Sequence, residues 1–270
     1  MDELAVFFDR YLKNIDNGWE KTTPSVRISL LGFNRPPIVN HVFSTWPIPN
    51  TTVQSLYLGP SSQFLNGPPM QSATVSYQSD APAMQVDDDS EEVTFTHTFE
   101  KTSYLLGNSK AILYMSCDSS DDMDVFVQLR KVSADGKVLR NYNIPLQDLG
   151  LSSTDEIELT NPSVYLGPTG ILRASRRALD TNLSTKRWAV HSHTQETEQK
   201  VKKGEVVKLE IGIWPAGIVF DPGEKLMLKV AGHHMVLAEM KSIRSKFVAG
   251  NNGRHSLYFG GQYDSPVEIR

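Results

Sequence analysis

Two histidines one residue apart are the first side chains whose spacing could support chemistry. In an extended segment His191 and His193 point to the same side, and Glu196 or Glu198 follows closely. A divalent ion could then bind between imidazole nitrogens and a carboxylate. No histidine- or cysteine-rich segment supplies further ligands. The pattern therefore favours packing and hydrogen bonding, and we predict no metal and no cofactor.

Nucleophilic hydrolysis is the next chemistry to test against the sequence. A serine nucleophile of the α/β-hydrolase type needs a strand-to-helix turn flanked by glycines, and no Gly-x-Ser-x-Gly motif occurs. Ser175 lies inside a predicted strand instead. The single cysteine, Cys117, follows an apolar run and is expected to be buried rather than reactive. We predict no catalytic residue in this chain.

Two acidic runs lie at 118–124 and 87–92, and the first has enough oxygens to bind calcium. The first lacks the glycine and the closing glutamate of an EF-hand loop, so we predict a polar turn between two strands. The second is predicted to be a solvated loop, because runs of like charge usually are.

The arginines and tryptophans are the remaining candidates for a binding site. Arg173 and its neighbours alternate along a predicted strand, so one guanidinium should point to the packed side and meet Asp180 or a carboxylate across the sheet. Trp46 and Trp214, each followed by proline, are predicted to plug strand ends of the core. If the chain does bind a ligand, the pocket residues we expect are Arg173, Arg176, His191, His193 and Trp214.

Composition limits the possible partners. The chain has 270 residues, a net charge of −4 and 39% hydrophobic residues. This balance gives no reason to expect nucleic acid or an anionic membrane as partner. No apolar run reaches the roughly 18 residues of a membrane span, and the first residues do not resemble a signal peptide. We therefore expect a cytoplasmic protein.

The first element that must position these residues is a helix over residues 3–15, with Asp2 as cap and Asn17-Gly18 as stop. Its apolar side chains recur at three- and four-residue spacing and form one stripe. That stripe is predicted to be an interface, either with a neighbouring domain or in a homodimer, and consists of Leu4, Phe7, Phe8, Tyr11 and Leu12.

After Pro24 the hydrophobic period changes to two and remains two, which indicates strands. Without interleaved helices, such strands predict an all-β fold, an antiparallel jelly-roll β-sandwich over 25–270 preceded by the helix and linker of 1–24. Residues 78–91 and 180–203 are predicted to be long surface excursions. We predict strands at 26–30, 38–43, 53–58, 72–77, 93–99, 110–117, 123–133, 170–178, 205–214, 225–231 and 255–260.

Several motifs in this order carry a family resemblance. They are Asp121-Asp-Met-Asp-Val-Phe-Val-Gln-Leu-Arg130, Gly170-Ile-Leu-Arg-Ala-Ser-Arg-Arg-Ala-Leu-Asp180, His191-Ser-His193 and Gly204-Glu-Val-Val-Lys-Leu-Glu-Ile-Gly-Ile-Trp-Pro215. Together they resemble the C-terminal, non-catalytic β-sandwich of X-Pro dipeptidyl-peptidases and cocaine-esterase-like (CocE/NonD) serine hydrolases. Two further matches are Trp46-Pro with Leu56-Tyr-Leu58, like the first strands, and residues 260–265, like the closing strand.

The resemblance implies a galactose-binding-domain-like sandwich that walls the substrate pocket of an α/β-hydrolase domain and supports oligomers. The nucleophile belongs to that other domain, which this chain lacks, and residues 1–24 would be the remnant of its last helix. Arg176 occupies a position where the family usually has histidine, so a role specific to that histidine does not carry over. The alternative is a free-standing sandwich that binds a small apolar molecule, possibly a non-hydrolytic biosynthetic enzyme.

Overall fold

A change from helical to alternating periodicity separates the first residues from the rest of the chain, and the computed structural model follows that change. It describes residues 2–49, 51–83, 87–144, 146–152, 156, 164–185, 188–235 and 249–270. Positions 84–86 and 186–187 of the two predicted excursions lie outside the described residues.

The strands of the described residues fall close to the predicted ones, and most boundaries differ by one or two positions. They are β1 (Val26–Leu30), β2 (Ile38–Phe43), β3 (Gln54–Gly59), β4 (Gln63–Leu65), β5 (Ala73–Gln78), β6 (Val93–Thr98), β7 (Ser103–Cys117), β8 (Asp124–Val132), β9 (Asn141–Tyr142), β10 (Val164–Tyr165), β11 (Thr169–Arg173), β12 (Val207–Phe220), β13 (Lys225–Ala231), β14 (Arg254–Phe259) and β15 (Pro266–Ile269).

The main sheet is one hydrogen-bonded path in the order β11-β8-β13-β6-β4-β3-β15-β7-β14-β5, and β12 pairs with β7. Its strand pairs are antiparallel except β4 with β6. One hydrophobic cluster takes side chains from both halves of this path, for example Leu129 and Leu228 from one half and Leu113 and Leu257 from the other. The fold is therefore an all-β sandwich around a single core, as predicted; its finer assignment as a jelly roll stays a prediction.

Two helices precede the sandwich, α1 (Asp2–Tyr11) and α2 (Trp19–Thr22). The predicted helix end at residue 15 is wrong, because Asn14 adopts a left-handed conformation (φ 54°) that turns the chain. The predicted stop is wrong too: Gly18, with φ 76°, is the N-cap of α2. None of the side chains of α1 is buried.

Three strand predictions need correction. The strand predicted over 170–178 ends at Arg173, and Ala174–Arg176 form a 3₁₀ turn. Residues 260–265 are not the closing strand, because Gly260 (φ 74°) and Gly261 (φ 59°) form a turn before β15. The four-residue strand β15 was not predicted. It begins with proline, yet it pairs with both β3 and β7.

The short hairpin β1–β2 lies outside the main sheet and packs on it through a second apolar cluster. Leu30 and Ile48 meet Leu106 of β7 and Val219 of β12 there. The N–H of Leu31 donates to the Gly217 carbonyl (2.8 Å), which fixes the hairpin beside β12. The hairpin thus covers part of the outer face of the β7–β12 pair.

Candidate functional site

The family motifs at 121–130 and 170–180 meet at one end of the sandwich, where β11 ends beside the start of β8. Arg173 lies opposite Asp124 in the β11–β8 register, and its Nε and Nη2 donate to Asp124 Oδ1 and Oδ2 over 2.7 and 2.8 Å. This is the carboxylate across the sheet, and not Asp180. Burial would raise the pKa of Asp124, but the hydrogen bonds from Arg173 and the Gly250 N–H hold it below its ordinary value.

The neighbouring carboxylate of Asp122 holds the same end of the sandwich together. Its Oδ1 accepts the N–H of Ser175 over 2.8 Å, and its Oδ2 accepts Lys200 Nζ over 3.3 Å. Ser175 is 1% exposed, so its hydroxyl cannot meet a substrate as a nucleophile would. Residues 118–123 join β7 to β8, as the prediction of a polar turn requires. The acidic residues of this turn are occupied as structural acceptors.

Arg176, His191 and His193 lie at one corner and fasten the return of the chain to β12. Arg176 donates to the Thr194 carbonyl (2.9 Å) and to Glu198 Oε2 (2.7 Å). The rings of His191 and His193 have centroids 5.8 Å apart, although His193 has a left-handed backbone (φ 51°) instead of the extended one predicted. Burial, with His193 nearby, lowers the pKa of His191. These contacts fit packing and hydrogen bonding.

A separate groove of about 440 Å³ lies on the outer face of β15, β7 and β12. Trp46 and Trp188 belong to its walls, and Gly107 and Gly212 make room for them: a Cβ at either glycine would come within 3.2 Å of an indole ring. The groove is lined by Trp46, Pro47, Val53, Asn108, Thr185, Trp188, Glu268, Ile269 and Arg270. Its walls are mostly apolar, with an arginine and a carboxylate at the edge.

The groove contains none of the five predicted pocket residues, and two tryptophan predictions need correction. Trp214 is 68% exposed on β12 and Trp46 is 51% exposed, so neither is a core plug. Trp188 and Arg270, which line the groove together with Trp46, were not predicted. An isolated glycine inside a strand often marks close approach by another group, so Gly107 and Gly212 were the available signal.

The acidic run at 87–92 is not the solvated loop that its charge predicts. Asp87 accepts Arg140 (2.8 Å) and forms an ion pair with Arg130 (2.9 Å), whose side chain is 1% exposed. Glu92 forms an ion pair with Lys229, which is also buried. Cations on β8 and β13 point toward this run and pair with Asp87 and Glu92, whereas Asp88 is exposed.

An apolar surface is exposed around α1 and the β1–β2 hairpin. The five predicted interface residues of α1 are between 37% and 75% exposed, and Val39 and Val42 of β2 are 64% and 56% exposed. The contacts of α1 are few. Phe7 packs on Trp19, and Arg10 pairs with Glu20 (2.6 Å). Glu3 pairs with Arg27 of β1, and the Asn17 amide donates to the Val6 carbonyl (2.7 Å). None of the described helices is both long and apolar enough to cross a membrane.

Known proteins share both the sequence and this fold. The sequence matches the X-Pro dipeptidyl-peptidase C-terminal non-catalytic domain over residues 17–268. A CocE/NonD family hydrolase from Staphylococcus aureus is 30% identical, with a TM-score of 0.81, over 99% of this chain and 45% of that one. No protein of curated function matches in sequence.

Two more distant structures show the fold alone. An aminopeptidase from a marine sediment Thaumarchaeota archaeon is 14% identical, with a TM-score of 0.59, over 98% of this chain and 43% of its own. An α-amino acid ester hydrolase is 16% identical, with a TM-score of 0.65, over 98% of this chain and 44% of its own. This chain therefore spans less than half the length of these hydrolases. By the match over 17–268, it belongs to the family of X-Pro dipeptidyl-peptidase C-terminal non-catalytic domains.

Proposed function

We propose that this chain is the accessory sandwich of a CocE/NonD-type serine hydrolase and has no nucleophile of its own. In this proposal it packs on an α/β-hydrolase domain, helps to wall that domain's substrate pocket and supports oligomers. The family match across 17–268 is the observation that carries the proposal. The buried Ser175 and the structural use of Asp122 and Asp124 support it, because they leave the motif residues without a catalytic task.

The exposed stripe of α1 supports the docking part of the proposal. Phe7, Phe8 and Tyr11 form one aromatic group on a helix that buries none of its side chains. Exposed apolar patches of several hundred Å² mark interaction sites, and covering one contributes several kcal/mol at about 25 cal/mol per Å². A hydrolase domain is the partner we assign to this surface, and without that domain we expect the stripe to mediate a homodimer.

Complementation in trans tests this proposal. The purified chain is mixed with the remaining part of the S. aureus hydrolase, and binding and p-nitrophenyl ester hydrolysis are measured. We expect a complex whose turnover exceeds that of the hydrolase part alone, and no turnover by this chain alone. Absence of a complex, or ester turnover by the pure chain that Ser175→Ala abolishes, would contradict the proposal.

Charge substitutions show whether α1 is the docking surface. Phe7→Asp/Phe8→Asp should abolish both the complex and any homodimer seen by sedimentation equilibrium. The matched control is Ile171→Asp/Leu183→Asp, which places two charges at apolar positions 52% and 64% exposed elsewhere on the surface. Equal loss of binding in both variants would mean that the effect is not specific to α1.

The groove favours a second candidate function, binding of a small apolar molecule. Two indoles on its walls give the flat apolar contact that such sites use, and Arg270 lies over the Trp46 ring at 5.7 Å. Tryptophan fluorescence with a naphthyl ester as probe tests this: we expect saturable quenching that Trp188→Ala abolishes and Trp214→Ala leaves intact. Quenching that depends on Trp214 would overturn it.

For both candidates a cytoplasmic location is proposed, consistent with a single, buried cysteine.

A further inference from the structure

His233 lies against the acidic run at 87–92, with 11% of its side chain exposed. The β13–β6 register pairs Val230 with Val93, so the residue before β6 and the residues after β13 are neighbours. Glu92 and His233 are these residues. Asp89 joins them because its Oδ1 accepts the N–H of Glu91 over 3.0 Å, which folds the loop back over the strand end.

The three side chains converge on one point. Nε2 of His233 lies 3.4 Å from Glu92 Oε1 and 3.6 Å from Asp89 Oδ2, and the three possible ligand atoms lie within 4.8 Å of one another. The side chains of His233, Glu92 and Asp89 are only 11%, 4% and 0% exposed. Carboxylates at this depth normally need a cation or several hydrogen bonds nearby.

Hydrogen bonding does not account for the position of His233. Both of its ring nitrogens are buried, and neither has a hydrogen-bond partner among the residues that the structure describes. The contacts of 3.4 and 3.6 Å are longer than a charge-assisted bond between imidazolium and carboxylate, which is about 2.7–2.9 Å. They do match the ligand-to-ligand separation in a tetrahedral site, which is about 3.4 Å when the metal bonds are about 2.0–2.1 Å.

The carboxylate oxygens near the cluster face either a basic side chain or His233. Asp87, next in the run, is matched by Arg130 and Arg140, and Glu92 Oε2 faces Lys229. Glu92 Oε1 and Asp89 Oδ2 both lie on the side of His233. Both oxygens therefore face the same imidazole nitrogen, as the ligands of one ion would.

We propose that Asp89, Glu92 and His233 bind one divalent transition-metal ion of the Zn²⁺ class. One imidazole nitrogen and two carboxylate oxygens suit Zn²⁺ better than the all-oxygen sites of Ca²⁺ or Mg²⁺. The ion would join the loop before β6 to the end of β13, and a water would complete its coordination. This inference does not depend on the hydrolase partnership.

The test uses the full chain after treatment with a chelator and dialysis. Titration with Zn²⁺ should show one site, and the melting temperature should rise by about 5 °C when Zn²⁺ exceeds its dissociation constant 100-fold. His233→Ala should weaken binding by at least about 10-fold and remove the thermal shift. The matched control is His191→Ala/His193→Ala, which removes two neighbouring histidines outside the cluster and should leave both results unchanged.

A second variant and a second metal keep the test decisive if His233→Ala does not fold. Co²⁺ should give visible absorption bands of a four-coordinate site in the wild type, and Asp89→Asn should shift or abolish them. Binding that is absent, or that depends on His191 and His193 instead, would overturn the proposal. In the first case His233 would only pack against the two carboxylates, and no metal site would exist.

Discussion

The sandwich interior and the N-terminal helix reverse the usual relation between residue type and environment. Inside, Arg130, Lys131 and Lys229 are at most 2% exposed and carry charge. Outside, Phe8 and Tyr11 of α1 are about half exposed and carry none. The difference is in the partners: each buried cation meets a carboxylate, whereas the aromatic stripe meets almost nothing within the described residues.

Burial in this protein therefore follows from the completeness of a side chain's contacts more than from its hydrophobicity. Lys131 Nζ donates to the Gly32 carbonyl (2.9 Å) and to Asn34 Oδ1 (3.0 Å), and it pairs with Glu224 (2.8 Å). Such a complete set offsets the cost of removing an ammonium group from water. The aromatic side chains of α1 can gain a complete set of contacts only when a partner surface covers them.

Breaking one buried ion pair should produce the largest effect. Glu224→Gln keeps the side-chain shape but leaves Lys131 as an uncompensated buried charge. Removal of one partner of a buried pair typically costs about 3–5 kcal/mol. We therefore expect the free energy of unfolding, measured with urea, to fall by about 3 kcal/mol or more.

The exposed pair beside it serves as the control. Arg35 Nη1 donates to both carboxylate oxygens of Asp221 (2.8 and 2.9 Å), but both side chains are more than a third exposed, and such pairs contribute about 0–1 kcal/mol. Asp221→Asn should therefore cost less than about 1 kcal/mol. Equal losses of unfolding free energy for Glu224→Gln and Asp221→Asn would show that the buried ion pair contributes no more than the exposed one.

The next largest effect on the free energy of unfolding depends on pH and comes from the buried His255. Burial lowers the pKa of His255 from 6.5 to about 4, against the opposing charges of Asp124, Asp118 and Asp80. Between these two pKa values the His255 imidazole binds a proton in the unfolded chain but not in the folded chain. Falling pH therefore favours unfolding through this window, and the loss is complete near pH 4.

The expected size is about 3 kcal/mol between pH 7 and pH 4, at about 1.4 kcal/mol per pH unit. Other histidines also titrate in this range, so the measurement is a difference. His255→Gln should remove this share of the pH dependence from the urea-unfolding free energy. Parallel curves for the wild type and the variant across pH 4–7 would contradict the assignment.

Much of the fold was predictable because alternating hydrophobicity reports burial directly. The strand boundaries of β1 and β2 were predicted to the residue, and β13 likewise. Two kinds of error have physical causes. Gly107 interrupts the pattern of β7, so the strand appeared to begin at 110, and β15 is too short and proline-led to show a period.

The sites were less predictable, because a single sequence does not show which distant groups meet. A carboxylate opposite Arg173 could be expected from the cost of an unpaired guanidinium, but its identity as Asp124 needed the strand register. Likewise, the run at 87–92 looked solvated because nothing local in the sequence indicates that Arg130 and Lys229 point toward it. A run of like charges therefore predicts an exposed loop only when no buried residue of opposite charge lies within reach of it.

Substitutions in α1 should have the smallest effect on the free energy of unfolding, because its aromatic side chains are exposed. Phe7 and Phe8 are 37% and 47% exposed, and their ring contacts are with each other, Tyr11 and Trp19. Phe7→Asp/Phe8→Asp should lower the free energy of unfolding of the isolated monomer by less than about 1 kcal/mol, as surface changes do. Leu58→Ala, at a fully buried core position, should cost about 2–5 kcal/mol in the same urea experiment. A loss for the double aspartate variant as large as that for Leu58→Ala would mean that α1 is already part of the core's cooperative unit, and that its aromatic side chains stabilise this chain instead of awaiting a partner.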